Sequence, residues 1–277
     1  MSDPGLDPRE VLAGRWRLLP GRAVLRFVGS DRVRYLNGQV SNDVAKLAVG
    51  GAAVAACVCT AKGKVEALVW IHAEKEALVV DGEAEQRDFL LARLGRYLVA
   101  DDCEIEDATA TVRVYHHFDE SLPGIPSRRL GLPGRDLFLE AGQIAPFDPG
   151  REIDDQEWDL HEALALVPRS GWEITGGEFP AELGLDGWAV DFHKGCYLGQ
   201  EIVSRIRRAG RVRHRLCRAL AANPLAPGEP LRSGDGFQGL ATRPSLPFGK
   251  KNHLALALGG TGGESPSDLG FQRVEAF

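Results

Sequence analysis

Residues 192–220 read FHKGCYLGQEIVSRIRRAGRVRHRLCRAL. Leu198, Ile202 and Ile206 recur at i, i+4 and i+8, which predicts a helix with one apolar stripe. Glu201 and Arg205 are also four apart, Gln200 and Arg208 point elsewhere, and Gly210 is a natural stop. Cys196 then stands at or just before the first turn. Free backbone N–H groups and the positive helix end favour a thiolate there, and Lys194 adds charge. That is the physical case for a reactive or ligand-binding Cys196. A small buried hydrophobe is the other use of a lone cysteine.

Seven arginines fall between Arg205 and Arg218, with Glu201 the one acid nearby. Such a patch attracts a phosphate, a polyanionic ligand tail or RNA. Equally, the alternation at Arg211, Arg213 and Arg215 suits the wet face of an edge strand. The whole chain, in contrast, is acidic: 277 residues carry a net charge of −6. No direct nucleic-acid partner is therefore expected. Charged residues at 26% and hydrophobic residues at 44% are ordinary globular values, and the length suggests two domains. No apolar run approaches the ~18 residues of a membrane span. The start shows no basic-then-apolar leader, so a reducing cytoplasmic setting and free thiols are expected. The cysteines, Cys57, Cys59, Cys103, Cys196 and Cys217, form no C-x-x-C pair and no zinc spacing, and no metal site is expected.

Working outward, residues 23–28 read as a strand and residues 32–37 as a short helix, followed by the turn chemistry of Ser41, Asn42 and Asp43. Two apolar runs, 52–60 and 65–72, predict a hairpin over 61–64. A strand at 77–80, an amphipathic helix within 83–98 and strands at 103–107 and 109–115 follow. Residues 121–135 and 145–151 are rich in Pro and Gly and read as loops. Residues 154–167 suit a helix with Trp158 and His161 inward, and short strands at 239–242 and 253–258 suggest a small β module. This order predicts an α+β fold, not a doubly wound sheet. The boundary falls in the Pro/Gly-rich segment 223–236, giving domains at 1–222 and 223–277.

KGCYLGQE, residues 194–201, resembles the signature of the YgfZ family of folate-binding proteins. That family is related to the T-protein (aminomethyltransferase) of glycine cleavage and to mitochondrial iron–sulfur cluster assembly factors. RFVGSDRVRYLNGQVSNDV near the start, CTAKGKV at 59–65, PRSGWEI at 168–174 and FPAELGLD at 179–186 resemble further blocks of the family, in its order. The resemblance implies two ferredoxin-like units forming a T-protein-like folate-binding domain, plus a small C-terminal β-barrel. The implied cofactor is tetrahydrofolate, with or without a polyglutamate tail. The implied role is support of iron–sulfur cluster assembly or repair, including for cluster-dependent tRNA-modifying enzymes, with iron–sulfur proteins as partners and Cys196 as the key thiol.

Carried onto this chain, the implied folate residues are Asn42, Asp43, Trp172, Lys194, Gly195, Tyr197, Gln200, Arg205 and Arg207. Asn42, Asp43 and Gln200 suit a pterin edge, Trp172, Trp188, Phe192 and Tyr197 suit apolar walls, and Arg205, Arg207 or Arg211 suit a carboxylate tail. Core packing is the other use of those aromatics. Two features depart from the relatives. Glu66-Ala67-Leu68 stands where aminomethyltransferases carry an Asp pair, which counts against the alternative of a folate-dependent aminomethyltransferase or methyltransferase. Residues 162–166 (EALAL) stand where relatives show an Arg-x-Glu-Ala-Gly run, so a plain helix face is expected there.

Overall fold

The computed structural model describes residues 7–19, 21–233, 236–249, 251–261, 272–273 and 275–276. A short helix, α1 (Pro8–Leu12), and a three-residue strand, β1 (Trp16–Leu18), lead into the first sheet. Its strands are β2 (Arg22–Val28), β3 (Val54–Cys59), β4 (Val65–Ala73), β5 (Ala77–Glu83) and β6 (Glu104–Asp107), in the order β3-β4-β5-β2-β6, all antiparallel. Helices α2 (Arg32–Gln39) and α3 (Arg87–Gly95) join β2 to β3 and β5 to β6. They bury Leu36, Leu90 and Leu94 with Leu25, Phe27, Val69 and Val80 on one face of the sheet.

The opposite face is covered as well. There Cys57, Cys59, Leu68 and Trp70 pack with Val167, Ile174, Leu183 and Val203. A strand buried on both faces loses the polar half of its alternation, which is why residues 65–72 read as an almost unbroken apolar run. The predicted hairpin is present, with Thr60 N–H donating to the Lys64 carbonyl (2.9 Å) and a register shift between Val58 and Cys59. The predicted helix within 83–98 is shorter than its apolar spacing suggests. β5 runs through Glu83 and a 3-10 turn takes 84–86, so Phe89 faces outward.

The second sheet has the order β1-β7-β9-β8, with β7 (Val112–His117), β8 (Ile125–Ser127) and β9 (Gly134–Glu140). β8 lies inside the stretch expected to be loop. Its Pro126 is tolerated because β8 is an edge strand. Helix α4 (Asp155–Ala165) starts at Asp154, whose carboxylate accepts the Glu157 N–H (2.8 Å), and ends on Leu166 in the left-handed region (φ 55°). Helix α5 (Gln200–Ala209) is the one expected from the signature, but Val203 is its buried residue, with Ile202 and Ile206 half-buried.

The third sheet comprises β10 (Arg215–Ala221), β11 (Pro230–Arg232), β12 (Phe237–Ala241), β13 (Leu246–Phe248), β14 (Asn252–Thr261), β15 (Gln272–Arg273) and β16 (Glu275–Ala276). The path is β15-β10-β14-β12-β11-β16, with β13 on β14. Among the described residues this is an open path and not a closed barrel. The sheet begins with β10 at Arg215. β10 packs on both faces: Cys217, Ala219 and Ala221 join the sheet's own core, while Leu216 packs with Leu160 and Ala163 of α4.

Candidate functional site

A cavity of about 610 Å³ lies where the first sheet, the second sheet, α4 and the segment 167–172 meet. Three tryptophans wall it: Trp70 from β4, Trp158 from α4 and Trp172 from the turn after Arg169. Trp70 and Trp172 each also wall a neighbouring cavity, of about 490 and 570 Å³. Four arginines, Arg17, Arg22, Arg129 and Arg169, face carboxylates that include Glu83, Asp159 and Glu162. A mixed apolar and charged lining of this size suits a flat, polar, drug-sized ligand.

Each guanidinium is fixed from behind. Arg129 is buried and lies over the Trp70 ring (4.8 Å to its centroid). Its Nε donates to Asp136 Oδ1 (2.8 Å) and its Nη2 to Asp81. Asp81 Oδ1 also accepts from Arg22 Nε (2.6 Å), and Asp136 Oδ1 meets His116 Nδ1 (2.7 Å). Burial works against the Asp136 carboxylate, but the Arg129 charge and the His116 hydrogen bond hold it well below the usual carboxylate range. This network ties β7 and β9 of one sheet to β2 and β5 of the other.

On the far wall Arg169 Nε donates to Glu162 Oε2 (2.5 Å), and Trp158 Nε1 donates to Glu162 Oε1 (3.0 Å). Arg169 Nη2 also holds Asp159. Burial pushes the Glu83 carboxyl above its ordinary value, against the Arg22 charge and the Ser170 N–H that donates to it (3.1 Å). Three buried polar atoms on cavity-lining residues lack a partner among the described residues: Arg17 Nε, Arg22 Nη2 and Ser170 Oγ. Unpaired buried donors are costly, and a ligand with acceptor oxygens satisfies them.

Of the residues expected to bind ligand, Trp172 alone lines this cavity. Asn42 and Arg207 line a separate cavity of about 380 Å³ with Trp188 and Phe192. The Asn42 amide donates to the carbonyls of Ala55 (2.7 Å) and Trp188 (3.3 Å), and Asp43 caps a turn through Ala45 N–H and pairs with Lys46. Lys194 Nζ donates to the carbonyls of Asn37, Val40 and Asn42, each at 2.7 Å. Its ammonium is thus committed to the backbone instead of charging the Cys196 environment. Tyr197 is buried, and burial raises its hydroxyl above the ordinary range. Gly195 and Cys196 are exposed, Gln200 is half-buried, and exposed Arg205 pairs with Glu201 (2.8 Å).

The signature has a clear packing role. Gly199 has φ +88°, and a Cβ on it would lie 2.4 Å from the Thr60 carbonyl oxygen and 3.0 Å from Gly63 Cα. The KGCYLGQE and CTAKGKV blocks therefore meet backbone to backbone. Cys57 and Cys59 are buried in the same core, and among the described residues no three His, Cys, Asp or Glu side chains form a metal-holding group. Glu66 sits outside the cavity, paired with buried Arg93. The stretch 162–166 corrects the expectation of a plain helix face, because Glu162 is one of the cavity's hydrogen-bonding groups. Sequence reading missed Glu162, Trp70 and the four arginines. An inward Trp158 four residues before Glu162 was the signal available for that wall.

No family model matches the chain. It is 28% identical to the "tRNA-modifying protein YgfZ" of Photobacterium profundum over 218 residues, covering 68% of this chain and 64% of that protein. The protein of the same name from Sodalis glossinidius is 28% identical, covering 79% of this chain and 76% of the relative. The mitochondrial "Iron-sulfur cluster assembly factor IBA57 homolog" of Mycosarcoma maydis is 26% identical, covering 73% and 56%. The match thus spans just under two thirds of the first of these relatives and little more than half of the third. Among solved structures, the glycine cleavage system aminomethyltransferase T of Bartonella henselae superposes with a TM-score of 0.72, covering 91% of this chain and 80% of that one. At 14% identity this likeness is one of fold.

Proposed function

Because this chain belongs to the family that joins YgfZ, the IBA57 assembly factors and the T-protein, we propose that it is a tetrahydrofolate-binding accessory protein for iron–sulfur cluster assembly or repair. Its clients in this reading include cluster-dependent tRNA-modifying enzymes, and its setting is the cytoplasm. No helix among the described residues is long and apolar enough to cross a membrane. The order β6-β2-β5-β4 with α2 and α3 supports reading the first sheet as one ferredoxin-like unit. β15 pairs with β10 and β16 with β11, one residue apart in the chain, which supports reading the third sheet as a barrel.

The carrying observation is the cavity walled by Trp70, Trp158 and Trp172 with unpartnered Arg22 Nη2, Arg17 Nε and Ser170 Oγ. The residues fit a folate. Tryptophan faces suit a pterin or benzoyl ring, Glu162 and Glu83 suit its N–H groups, and the arginines and Ser170 suit carbonyl and carboxylate oxygens. A reduced folate held there supplies one-carbon and reducing chemistry, while the chain's residues bind and orient it. In this reading the ligand sits in this cavity and not at Arg205.

Calorimetric titration with tetrahydrofolate and its triglutamate tests the reading. Binding in the ~1–100 µM range is expected, weakened at least about tenfold by Trp172→Ala and unchanged by Arg205→Ala. Absence of binding at millimolar ligand overturns it. Exposed Cys196 is the accessible thiol of the signature, and a deletion strain carrying Cys196→Ser is expected to lose cluster-enzyme activity.

A further inference from the structure

We propose that the end of α5 and the segment after it form a binding surface for single-stranded RNA. Residues 202–228 contain seven arginines and no acid. Arg205, Arg207, Arg208, Arg211 and Arg213 are all exposed. Arg205 shares its charge with Glu201, but among the described residues no carboxylate pairs with Arg207, Arg208, Arg211 or Arg213. The net charge of −6 pointed away from nucleic acid. Charge acts locally, however, since screening in physiological salt reaches only about 8 Å. The acidic residues elsewhere in the chain do not cancel a cluster this dense.

Two features favour RNA over an acidic protein. Every cation in the cluster is arginine, whose planar fork matches phosphate oxygens in a way that lysine does not. The cluster also borders aromatic faces. Arg207 lies over the Phe192 ring (4.0 Å to its centroid), and Phe192, Arg207 and Trp188 wall the 380 Å³ cavity. Trp188 keeps 39% of its surface exposed. Of the two aspartates that line this cavity, Asp191 is neutralised by Lys46 and Asp186 remains at its rim. Cations beside exposed aromatic faces are what a single strand uses, its phosphates on the arginines and a base on the ring. An acidic peptide makes no use of the rings.

The experiment is fluorescence anisotropy with a labelled 15-nucleotide oligouridine, titrated from 50 to 300 mM KCl. Wild type is compared with the triple variant Arg208→Ser, Arg211→Ser, Arg213→Ser and with Trp188→Ala, all checked by circular dichroism. Each lost phosphate contact lowers the salt slope by about 0.7, so the triple variant is expected to lose about 2 in slope and at least tenfold in affinity at 50 mM. Trp188→Ala is expected to weaken binding about tenfold with the slope unchanged, because stacking involves no counterion. Absence of binding at 50 mM KCl, or a folded triple variant that binds like wild type, overturns the proposal. Equal competition by polyglutamate of matched charge also overturns it and assigns the surface to an acidic protein. An unaffected Trp188→Ala removes the base-stacking half of it.

Discussion

Glu83 closes β5 at the cavity wall, between the Arg22 charge and the Ser170 N–H. Burial outweighs both and holds its carboxyl above the ordinary 4.5, so the folded chain keeps this proton to a higher pH than the unfolded chain does. The sign of the linkage follows. Stability from this group is complete below the unfolded value and is lost as pH rises through the folded one. Melting wild type beside Glu83→Gln from pH 4 to 7 is therefore expected to show the variant gaining on wild type as pH rises. A gap that stays constant with pH would show the carboxyl to be ordinary. Lys194 makes the complementary point. Burial lowers its ammonium to about 8, yet three carbonyls hold it, so a side chain that the signature offered as a ligand contact is a clasp on the 37–42 segment.

Helix α5 meets the β3–β4 hairpin through two glycines. A Cβ on Gly63 would lie 3.2 Å from the Gly199 carbonyl, and one on Gly199 would lie 2.4 Å from that of Thr60. Gly210, at the other end of α5, also has positive φ (+65°) but open space around it. Gly210→Ala is expected to cost about 1 kcal/mol, the conformational penalty alone. Gly199→Ala adds a backbone clash and is expected to cost more than about 3 kcal/mol. Urea unfolding of the two variants decides, and equal costs would mean that the contact is loose. The elements themselves were legible where period and punctuation agreed: the hairpin over 61–64, α2, α4 with Trp158 and His161 inward, and α5 with its Gly210 stop. β1 and β8 were not, because three residues are too few to show a period and Pro126 masks the second. That the two glycine motifs form one packing unit was also hidden, since spacing along the chain carries no record of contact across it.

Two sheets, α4 and the segment 167–172 meet around the cavity, and for that reason the cavity was the least legible part of the molecule. Arg17, Arg22, Trp70, Arg129 and Glu162 come from five separate segments, none with a local pattern that sets it apart. A buried carboxylate ties the third sheet to the turn beside the cavity. Glu173 accepts from Thr242 Oγ1 (2.5 Å) and from the Arg169 N–H (3.0 Å), and it lies 3.4 Å from Arg243 Nε. Arg243 is only 5% exposed, and its Nη1 and Nη2 have no hydrogen-bond partner among the described residues. Burial lowers its pKa against the pull of Glu173. Arg243→Met keeps the volume but leaves Glu173 buried without a countercharge, a change that costs about 3–5 kcal/mol. Because Glu173 fixes the turn that carries Arg169, Ser170 and Trp172, the loss is expected at two places at once. Amide hydrogen exchange should quicken in β12 and β14 while β2 to β5 stay protected, and tetrahydrofolate affinity should fall. Replacing both partners, as Arg243→Met with Glu173→Leu, removes the stranded charge and should return most of the stability. It should not return the affinity, because replacing Glu173 takes the acceptor from the Arg169 N–H. Recovery of both together would show that Glu173 acts on stability alone and does not connect the third sheet to the ligand site.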